Sequence, residues 1–369
     1  MSDFFRLEKQ CSQTDARAGL IQTEHGKIET PVFMPVGTGG AVKAVPFNFL
    51  NNHPIILANT YHLYLRPGTE VLKYYKGLHN FIGWEKPVLT DSGGYQIFSL
   101  AKLNNITDEG FYFRSHIDGS PHFFSPEKVI ELQNLIGADI IMPLDECLPF
   151  TSGQNQVENS VKRTLAWAQK AAVYHNSNPA GNFLFGIVQG AGYQSYRKMC
   201  AAELTALGLD GYAIGGLSVG EEKKQMYALT GYTAALLPER KPRYLMGVGA
   251  PEDIVESVKM GIDMFDCVLP TRNARNATVY TGKGKILLRN NENKYIDYPI
   301  EEDCGCYTCQ HFSRGYLRHL FKSREINACI LASIHNLFFY KRLMSKMRQA
   351  ILAGNFKAFY ENFFNNYKI

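Results

Sequence analysis

Two carboxylates stand three residues apart in one apolar stretch of the chain, GIDMFDCVLPTR, as Asp263 and Asp266. Burial of a carboxylate costs several kcal/mol unless the group is paired or hydrogen-bonded, so a strand that serves only packing rarely carries two. Arg272 and Arg275 follow in a polar segment that we predict to be a loop. A carboxylate at a strand end beside a basic loop suits a nucleophile that acts on a polyanion. The alternative is an aspartate held by a salt bridge in the core.

Other polar and glycine residues also follow short apolar runs of the sequence. Two acids that face one pocket can perform displacement at the anomeric carbon of a sugar, one as nucleophile and the other as general acid/base. A third acid, an amide and bare glycine backbone could hydrogen-bond a planar heterocycle. Met246 and Tyr95 could cover its faces, although core packing is the commoner role of such side chains. The residues at the run ends are Asp91, Asp145, Gln189, Gly216 and Asp266.

A cluster of three cysteines in the sequence CGCYTC, at positions 304–309, indicates a metal site. A closed tetrahedral zinc site needs a fourth ligand. With four protein ligands the ion has no open position, so we expect a structural role. His335 begins a predicted helical stretch that could return to the cluster. The candidates for the fourth ligand are His311, His319, His335 and Cys329.

Short apolar runs that alternate with helix-like segments indicate how these residues are positioned. Helical segments are predicted at 155–177, 193–208 and 220–237, and Ser125-Pro126 has the pattern of a helix start. Eight strands that alternate with helices predict an α/β fold, a (β/α)8 TIM barrel, whose active site lies at the C-terminal strand ends. The eight runs are Val32–Val36, Ile55–Ala58, Val88–Thr90, Ile140–Leu144, Phe183–Val188, Tyr212–Ile214, Tyr244–Val248 and Met264–Leu269.

Two segments depart from this alternation. The sequences FYFRSHI and PHFF flank Asp118-Gly119, which predicts an inserted hairpin. After Pro270 the pattern stops, and a β-like stretch at 279–288, the cysteine cluster and a helical tail follow. We therefore predict a catalytic barrel at residues 1–270 and a basic zinc-binding subdomain at 271–369, with its tail packed on the barrel.

Charge is unevenly distributed along the 369 residues. From Arg272 onward there are 16 Lys and Arg residues against 7 Asp and Glu, whereas the preceding residues hold 23 against 27. This asymmetry favours a polyanionic partner for the C-terminal third. An uncharged apolar stretch of about 18 residues is absent, which argues against a membrane helix, and the N-terminus lacks the apolar core of a signal peptide. We expect a cytoplasmic protein.

Seven motifs, in this order along the chain, resemble those of the bacterial tRNA-guanine transglycosylases, the queuine tRNA-ribosyltransferase family. The resemblance covers essentially the whole length. DSGGYQ alone is moderately specific, whereas GIDMFDCVLPTRNARN together with the CxCxxC…His arrangement is very specific. Family members are (β/α)8 barrels with a zinc subdomain, which agrees with the fold predicted above. The motifs are LTDSGGYQIFSL, DIIMPLDEC, LFGIVQG, GYAIGGLSVGE, RYLMGVG, GIDMFDCVLPTRNARN and CGCYTCQ…SIHN.

The resemblance implies a role for each matching position. It makes Asp266 the nucleophile at the ribose of the tRNA wobble nucleotide and Asp91 the general acid/base, and places Arg272 and Arg275 against the anticodon loop. One departure is Ala277, where the family usually has glycine. The residues implied to bind the base are Asp91, Tyr95, Asp145, Gln189, Gly216, Leu217 and Met246. The implied zinc ligands are Cys304, Cys306, Cys309 and His335.

The implied activity is exchange of guanine for a deazaguanine in tRNAs with a G-U-N anticodon, those for aspartate, asparagine, histidine and tyrosine, in queuosine biosynthesis. We expect a covalent aspartyl-RNA intermediate. Cys147 and Val219 resemble enzymes that use prequeuosine-1 base (7-aminomethyl-7-deazaguanine), since relatives that use queuine tend to have glycine in place of Val219. A carbonyl near Leu217 or the carboxylate of Glu221 is the expected partner of the aminomethyl cation; otherwise Glu221 is an acid at a helix start.

The family also implies a homodimer, in which one subunit acts while the other helps to hold the tRNA. Candidate interface residues are Phe312, Tyr316 and His319, which could equally pack the subdomain. Two other functions are alternatives. A barrel glycoside hydrolase would not need a basic zinc subdomain, and the chain has only two tryptophans for a sugar platform. A non-catalytic tRNA-binding subunit would lack the aspartates that are present here.

Overall fold

Eight short parallel strands form the central sheet of the molecule. The structure is a computed structural model that describes residues 4–100 and 104–368. In chain order its strands are β1 (Phe5–Gln10), β2 (Arg17–Thr23), β3 (Gly26–Thr30), β4 (Val32–Met34), β5 (Ile56–Asn59), β6 (Val88–Asp91), β7 (Asn104–Thr107), β8 (Gly110–Arg114), β9 (Pro121–Phe124), β10 (Ile140–Ile141), β11 (Phe183–Val188), β12 (Gly211–Ile214), β13 (Arg243–Leu245), β14 (Met264–Asp266), β15 (Thr278–Thr281) and β16 (Gly284–Leu287).

The central sheet has the order β4-β14-β13-β12-β11-β10-β6-β5 and nearly closes into a barrel. Its two ends meet at a parallel bridge between Val36 and Leu57, where the Gly37 N–H donates to the Leu57 carbonyl at 2.7 Å. Strands β5, β10 and β12 are buried throughout, as expected of parallel strands covered on both faces. Each of the eight predicted runs supplies one barrel strand, so the predicted (β/α)8 fold is confirmed.

The helices surround this sheet and extend beyond it at the C-terminus. Predicted segments 155–177, 193–208 and 220–237 correspond to α6, α7 and α8. Ser125 Oγ accepts the Lys128 N–H at 3.1 Å, which confirms the predicted helix start. The helices are α1 (Thr60–Leu65), α2 (Thr69–Tyr74), α3 (Leu78–Ile82), α4 (Gly94–Leu100), α5 (Pro126–Ile136), α6 (Gln154–Ser177), α7 (Gln194–Ala206), α8 (Lys223–Ala235), α9 (Pro251–Lys259), α10 (Leu269–Arg275), α11 (Tyr307–His311), α12 (Arg314–Lys322), α13 (Ile326–Leu352) and α14 (Phe356–Asn366).

Two small antiparallel sheets flank the barrel. The inserted hairpin lies across Asp118-Gly119 as predicted, but β7 joins β8 and β9 to make three strands. The sheet β1-β2-β3 was not predicted. Its residues Phe5, Ile21 and Ile28 pack with the side chains that fill the barrel interior, and β3 leads directly into the first barrel strand. We infer that this sheet covers the N-terminal end of the barrel and leaves the C-terminal end for the site.

The C-terminal region corrects two predictions. Arg272 and Arg275 lie in helix α10 rather than in a loop. His335 lies inside α13, which begins at Ile326 and not at His335. The first half of α13 packs in a separate core with the cysteine cluster, and the second half packs against the barrel. The boundary at residue 270 remains a prediction. None of the described helices is long and apolar enough to cross a membrane.

Asp263, the first carboxylate of the opening motif, is a core aspartate in a salt bridge. Arg17 is fully buried with it, and its Nε donates to Asp263 Oδ1 at 2.9 Å. The other guanidinium nitrogens donate to the carbonyls of Glu239 and Lys241, while the Arg243 N–H donates to Asp263 Oδ2 at 2.7 Å. Asp263 is therefore an aspartate held by a salt bridge in the core, and its hydrogen bonds link the start of β14 to β2 and β13.

We expect Asp263→Asn to destabilise the fold by roughly 3–5 kcal/mol, because it leaves the buried Arg17 charge without a counter-ion. Lys128→Ala is the control: it removes an exposed pair with Glu131 that should contribute less than about 1 kcal/mol. Urea unfolding followed by fluorescence measures both changes. Equal midpoints for the two variants would contradict a structural role for Asp263.

Candidate active site

Asp91 and Asp266 end strands β6 and β14 at the C-terminal face of the barrel. Both side chains are partly accessible, in contrast to the fully buried Asp263. Burial raises the pKa of Asp91 and the charge of Asp266 raises it further, so the two carboxylates are electrostatically coupled. The structure therefore brings to one face the two acids that the sequence predicted there.

Asp91 is held by the residues that begin helix α1. Asn59 Oδ1 accepts the His62 N–H at 2.9 Å, which turns its amide Nδ2 towards Asp91 Oδ2 at 2.5 Å. The Thr60 N–H donates to Asp91 Oδ1 at 3.2 Å. Burial raises the pKa of Asp91 to about 7, against the opposing effect of these hydrogen bonds. A group with a pKa near neutrality can both donate and accept a proton in one reaction cycle.

Asp266 receives two hydrogen bonds on the same oxygen. The Tyr244 hydroxyl donates to Oδ1 at 2.6 Å and the Gly247 N–H donates to it at 2.8 Å. Gly247 has a φ of +73°, a conformation that glycine adopts readily. Burial raises the pKa of Asp266, and both donors oppose that rise. Among the described residues Oδ2 accepts no hydrogen bond, so one oxygen is available for attack.

Asp145 and Gln189 form a second polar pair after β10 and β11. Gln189 Nε2 donates to Asp145 Oδ2 at 2.7 Å, and both side chains are buried. Burial raises the pKa of Asp145 to about 6, with the Gln189 bond opposing the rise. The amide of Gln189 lies directly on the backbone of Gly216, where a Cβ would come within 2.5 Å of Oε1. A side chain at position 216 would therefore displace the Gln189 amide from Asp145, and the φ of +64° also favours glycine there.

Arg197 holds the backbone of Gly215 and Gly216 beside this pair, and it was not predicted from the sequence. Its buried guanidinium donates to the carbonyls of Ala191 at 2.9 Å and of Gly215 and Gly216 at 3.1 Å. Burial lowers the pKa of Arg197 to about 10, so it stays charged at neutral pH. A signal was present: Arg197 falls on the same helical face as the buried residues three, four and seven positions later in α7.

The loop that follows Gly216 is fixed by Glu221. This carboxylate accepts the N–H groups of Ser218 and Val219, the latter at 2.9 Å. Glu221 is thus a loop-closing group and not an acid in the first turn of α8, which begins at Lys223. Leu217 is buried and Val219 partly buried in this loop. Cys147 is also partly buried, and burial raises the pKa of its thiol to about 12.

The remaining predicted contacts lie on neighbouring elements. Tyr95 is 54% exposed in the first turn of α4, and Met246 is partly buried just after β13. On α10, Arg272 is exposed, whereas Arg275 is partly buried and donates from Nε to the Thr271 carbonyl at 3.2 Å. Ala277 has a left-handed φ of +68°, which accounts physically for a preference for glycine there.

Three cysteines and one histidine converge in the C-terminal region. His335 Nδ1 lies 3.8, 3.5 and 3.3 Å from the Sγ atoms of Cys304, Cys306 and Cys309. A tetrahedral zinc ion with bonds of about 2.3 Å to sulfur and 2.0–2.1 Å to nitrogen would separate these atoms by about 3.5 Å. All four residues are buried. The set therefore fits a closed, structural zinc site.

The orientation of His335 favours the same conclusion. Its Nε2 lies 2.7 Å from the Tyr280 carbonyl, so the proton belongs on Nε2 and the Nδ1 lone pair faces the thiols. The other candidates for the fourth ligand lie outside this group. His311 Nδ1 is 2.8 Å from the Tyr307 carbonyl, and Cys329 points to the Arg275 carbonyl.

Known proteins similar to this chain match both the barrel and the C-terminal region. A family model described as "Queuine tRNA-ribosyltransferase" matches residues 11–369. A protein of that name from Thermoanaerobacter sp. (strain X514) is 53% identical over 98% of this chain and 97% of its own length. The proteins of that name from Halothermothrix orenii and Aquifex aeolicus are 50% and 51% identical, over 100% and 96% of this chain and 98% and 96% of their own lengths.

We expect His335→Ala and Cys306→Ser to lose about one bound metal ion per chain and to unfold at lower temperature, because binding of a structural metal is coupled to folding. His311→Ala is the control, since this exposed histidine is not part of the cluster. Elemental analysis and thermal unfolding report the two effects. Metal content that stays the same in all three variants would contradict the site.

Proposed function

The chain belongs to the queuine tRNA-ribosyltransferase family, and we propose that it exchanges guanine at the wobble position of G-U-N tRNAs for prequeuosine-1 base. It is an enzyme of the pentosyltransferase class. The observation that carries the detailed proposal is the pair of coupled carboxylates, Asp91 and Asp266. Asp91 has a pKa near neutrality, and Asp266 has an oxygen, Oδ2, that accepts no hydrogen bond from the described residues.

In the first step Asp266 Oδ2 attacks C1′ of the wobble nucleotide. A C1′–O bond forms, the C1′–N9 bond breaks, and guanine leaves with the electron pair, which gives an aspartyl-RNA ester. Asp91, protonated at this stage, supplies the proton that neutralises the departing guanine at N9. Tyr244 and the Gly247 amide orient Asp266 through Oδ1, so the attacking oxygen needs no reorientation.

In the second step the deazaguanine enters the same pocket and its N9–H proton passes to Asp91. N9 then attacks C1′, the ester bond breaks, and Asp266 recovers its charge. The cycle transfers one proton from the incoming to the departing base and requires no redox cofactor. Two displacements at one carbon retain its configuration.

The neighbouring polar groups suit recognition of the base. The Asp145 carboxylate can accept hydrogen bonds from the ring N–H and amino groups of a guanine edge, while Gln189 and the backbone at Gly216 and Leu217 supply further polar groups. Tyr95 and Met246 are proposed to contact the base faces. The aminomethyl cation is directed to a carbonyl near Leu217, because Glu221 already accepts two backbone N–H groups.

The RNA is proposed to lie on the basic C-terminal region. Arg272 is exposed on α10, a helix that begins three residues after Asp266, and a guanidinium there can reach phosphates or bases of the anticodon loop. The structural ion is proposed to be zinc, because Cys3His is a common structural zinc set. It fixes the cysteine segment to α13 and takes no part in the chemistry.

A homodimer remains part of the proposal. Phe312 and Tyr316 stack at 5.4 Å between ring centroids, and Tyr316 is 44% exposed. His319 lies on the same helix as Tyr316. An aromatic surface of this kind suits a contact between subunits, and analytical ultracentrifugation of Tyr316→Ala would test it.

We expect Asp266→Asn to lower exchange of labelled guanine into an anticodon stem-loop by at least about 10³-fold, because the neutral amide is a poor nucleophile. Affinity for the RNA should stay within about threefold. The wild type should form an RNA adduct that survives denaturing electrophoresis and that the variant lacks. Asp303→Asn, at an exposed acid, is the control. An adduct of normal yield in Asp266→Asn would assign the nucleophile to another residue.

We expect the wild type to favour prequeuosine-1 base over queuine by roughly ten- to a hundredfold, because extra volume beside Val219 costs about 1–3 kcal/mol. Val219→Gly should reduce this preference. Ser218→Gly loosens the same loop while keeping the valine, so it separates flexibility from volume. Competition of the two bases against labelled guanine measures the preference. Equal use of both bases by the wild type would show that Val219 does not close the pocket.

A further inference from the structure

Helix α13 joins the metal centre to the backbone on both sides of Asp266. His335 belongs to the metal cluster, and the next residue, Asn336, donates from Nδ2 to the carbonyls of Pro270 at 2.9 Å and Thr278 at 3.0 Å. Pro270 lies four residues after Asp266, at the start of α10. Tyr340, further along the same helix, makes the second contact, to the segment whose Gly247 N–H hydrogen-bonds Asp266.

Tyr340 is a fully buried tyrosine whose hydroxyl lies between the Gly249 carbonyl and the Tyr280 hydroxyl. Its hydroxyl donates to the Gly249 carbonyl at 2.5 Å. Its ring packs on Phe33 of β4 at 4.7 Å and on Tyr280 at 5.4 Å. Because Phe33 is paired in register with Phe265, the ring lies against the strand beside the one that ends at Asp266.

Gly249 belongs to the short segment that supplies a hydrogen bond to Asp266. Two residues earlier, the Gly247 N–H donates to Asp266 Oδ1. On its other side, Gly249 lies against Cys267, the residue after Asp266, and a Cβ on Gly249 would come within 2.2 Å of the Cys267 Cβ. The segment 247–249 is therefore fixed between Tyr340 and the chain that carries Asp266.

We propose that Tyr340 is a positioning residue of the base-exchange reaction, which holds segment 247–249 so that the Gly247 amide orients Asp266. This inference rests on the proposed function of Asp266. Loss of the hydroxyl leaves a buried carbonyl without its donor, and the segment can relieve this only by moving. A small displacement of a group that orients a nucleophile has a large effect on rate, because attack requires close alignment. The alternative is that Tyr340 only packs α13 against the barrel.

Tyr340→Phe removes the hydroxyl and keeps the ring. We expect kcat for guanine exchange into an anticodon stem-loop to fall by roughly tenfold or more, with KM for the RNA within about twofold and metal content unchanged. The acid limb of the kcat/KM profile should move to higher pH, since a carboxylate that loses a donor has a higher pKa. The other groups coupled to Asp266, namely Asp91, Tyr244 and Cys267, are unaltered.

Tyr212→Phe is the matched control. It removes another buried tyrosine hydroxyl, one bonded to the Leu209 backbone at the start of β12, away from the C-terminal strand ends. If both variants lose stability equally but only Tyr340→Phe loses kcat, the positioning role is supported. Equal kcat in the two variants would overturn it. A wild type without exchange activity would instead reject the proposed function.

A second variant at this position tests the proposal even if Tyr340→Phe folds poorly. Tyr340→4-aminophenylalanine restores a hydrogen-bond donor at the para position of the ring. Recovery of kcat with this residue, but not with phenylalanine, supports the proposal. Recovery of stability without recovery of kcat would contradict it, because the donor would then serve only the fold.

Discussion

The cost of holding carboxylates at the strand ends of an apolar barrel is the constraint on which the site depends. Each acid must obtain donors from neighbouring elements, because burial removes some or all of its contact with water. Asp263 and Asp266, three residues apart, meet this requirement differently. Arg17 and the Arg243 N–H engage both oxygens of Asp263, which makes it a structural group. Among the residues that the structure describes, hydrogen-bond donors reach Asp266 only at Oδ1, so Oδ2 remains for chemistry.

The same constraint explains why several strands and the C-terminal region act together. The donors to Asp91 come from the end of β5 and the start of α1, and those to Asp266 come from β13 and the loop after it. Helix α13 then holds that loop and the start of α10 from outside the barrel. A metal bound by this cluster would fix the cysteine segment to α13 and thereby stabilise backbone near the acids without contact with the reacting atoms.

Most of the barrel was predictable because its strands are short, buried on both faces and therefore continuously apolar. The cysteine cluster and the position of Asp266 at a strand end were predictable from residue type and spacing. Sheet β1-β2-β3 was missed because β1 is largely exposed and polar. Helix α10 was missed because Pro270 was taken as a break, although proline in a first turn also begins helices. Asn59 and Tyr244 act through register and burial, which no local pattern of residue types reveals, whereas the position of Arg197 on the buried face of α7 was a signal that could have been used.

The coupling between the two acids gives the proposed reaction an order. Burial and, to a smaller extent, the charge of Asp266 raise the pKa of Asp91, which favours the protonated form of Asp91 before attack. Formation of the ester removes the charge of Asp266, and the pKa of Asp91 then falls as the departing guanine needs a proton. Asp91 is left as the base that accepts the N9–H proton of the incoming deazaguanine. When the ester breaks, the charge of Asp266 returns and the pKa of Asp91 rises again. The protonated form of Asp91 is thereby favoured for the next cycle.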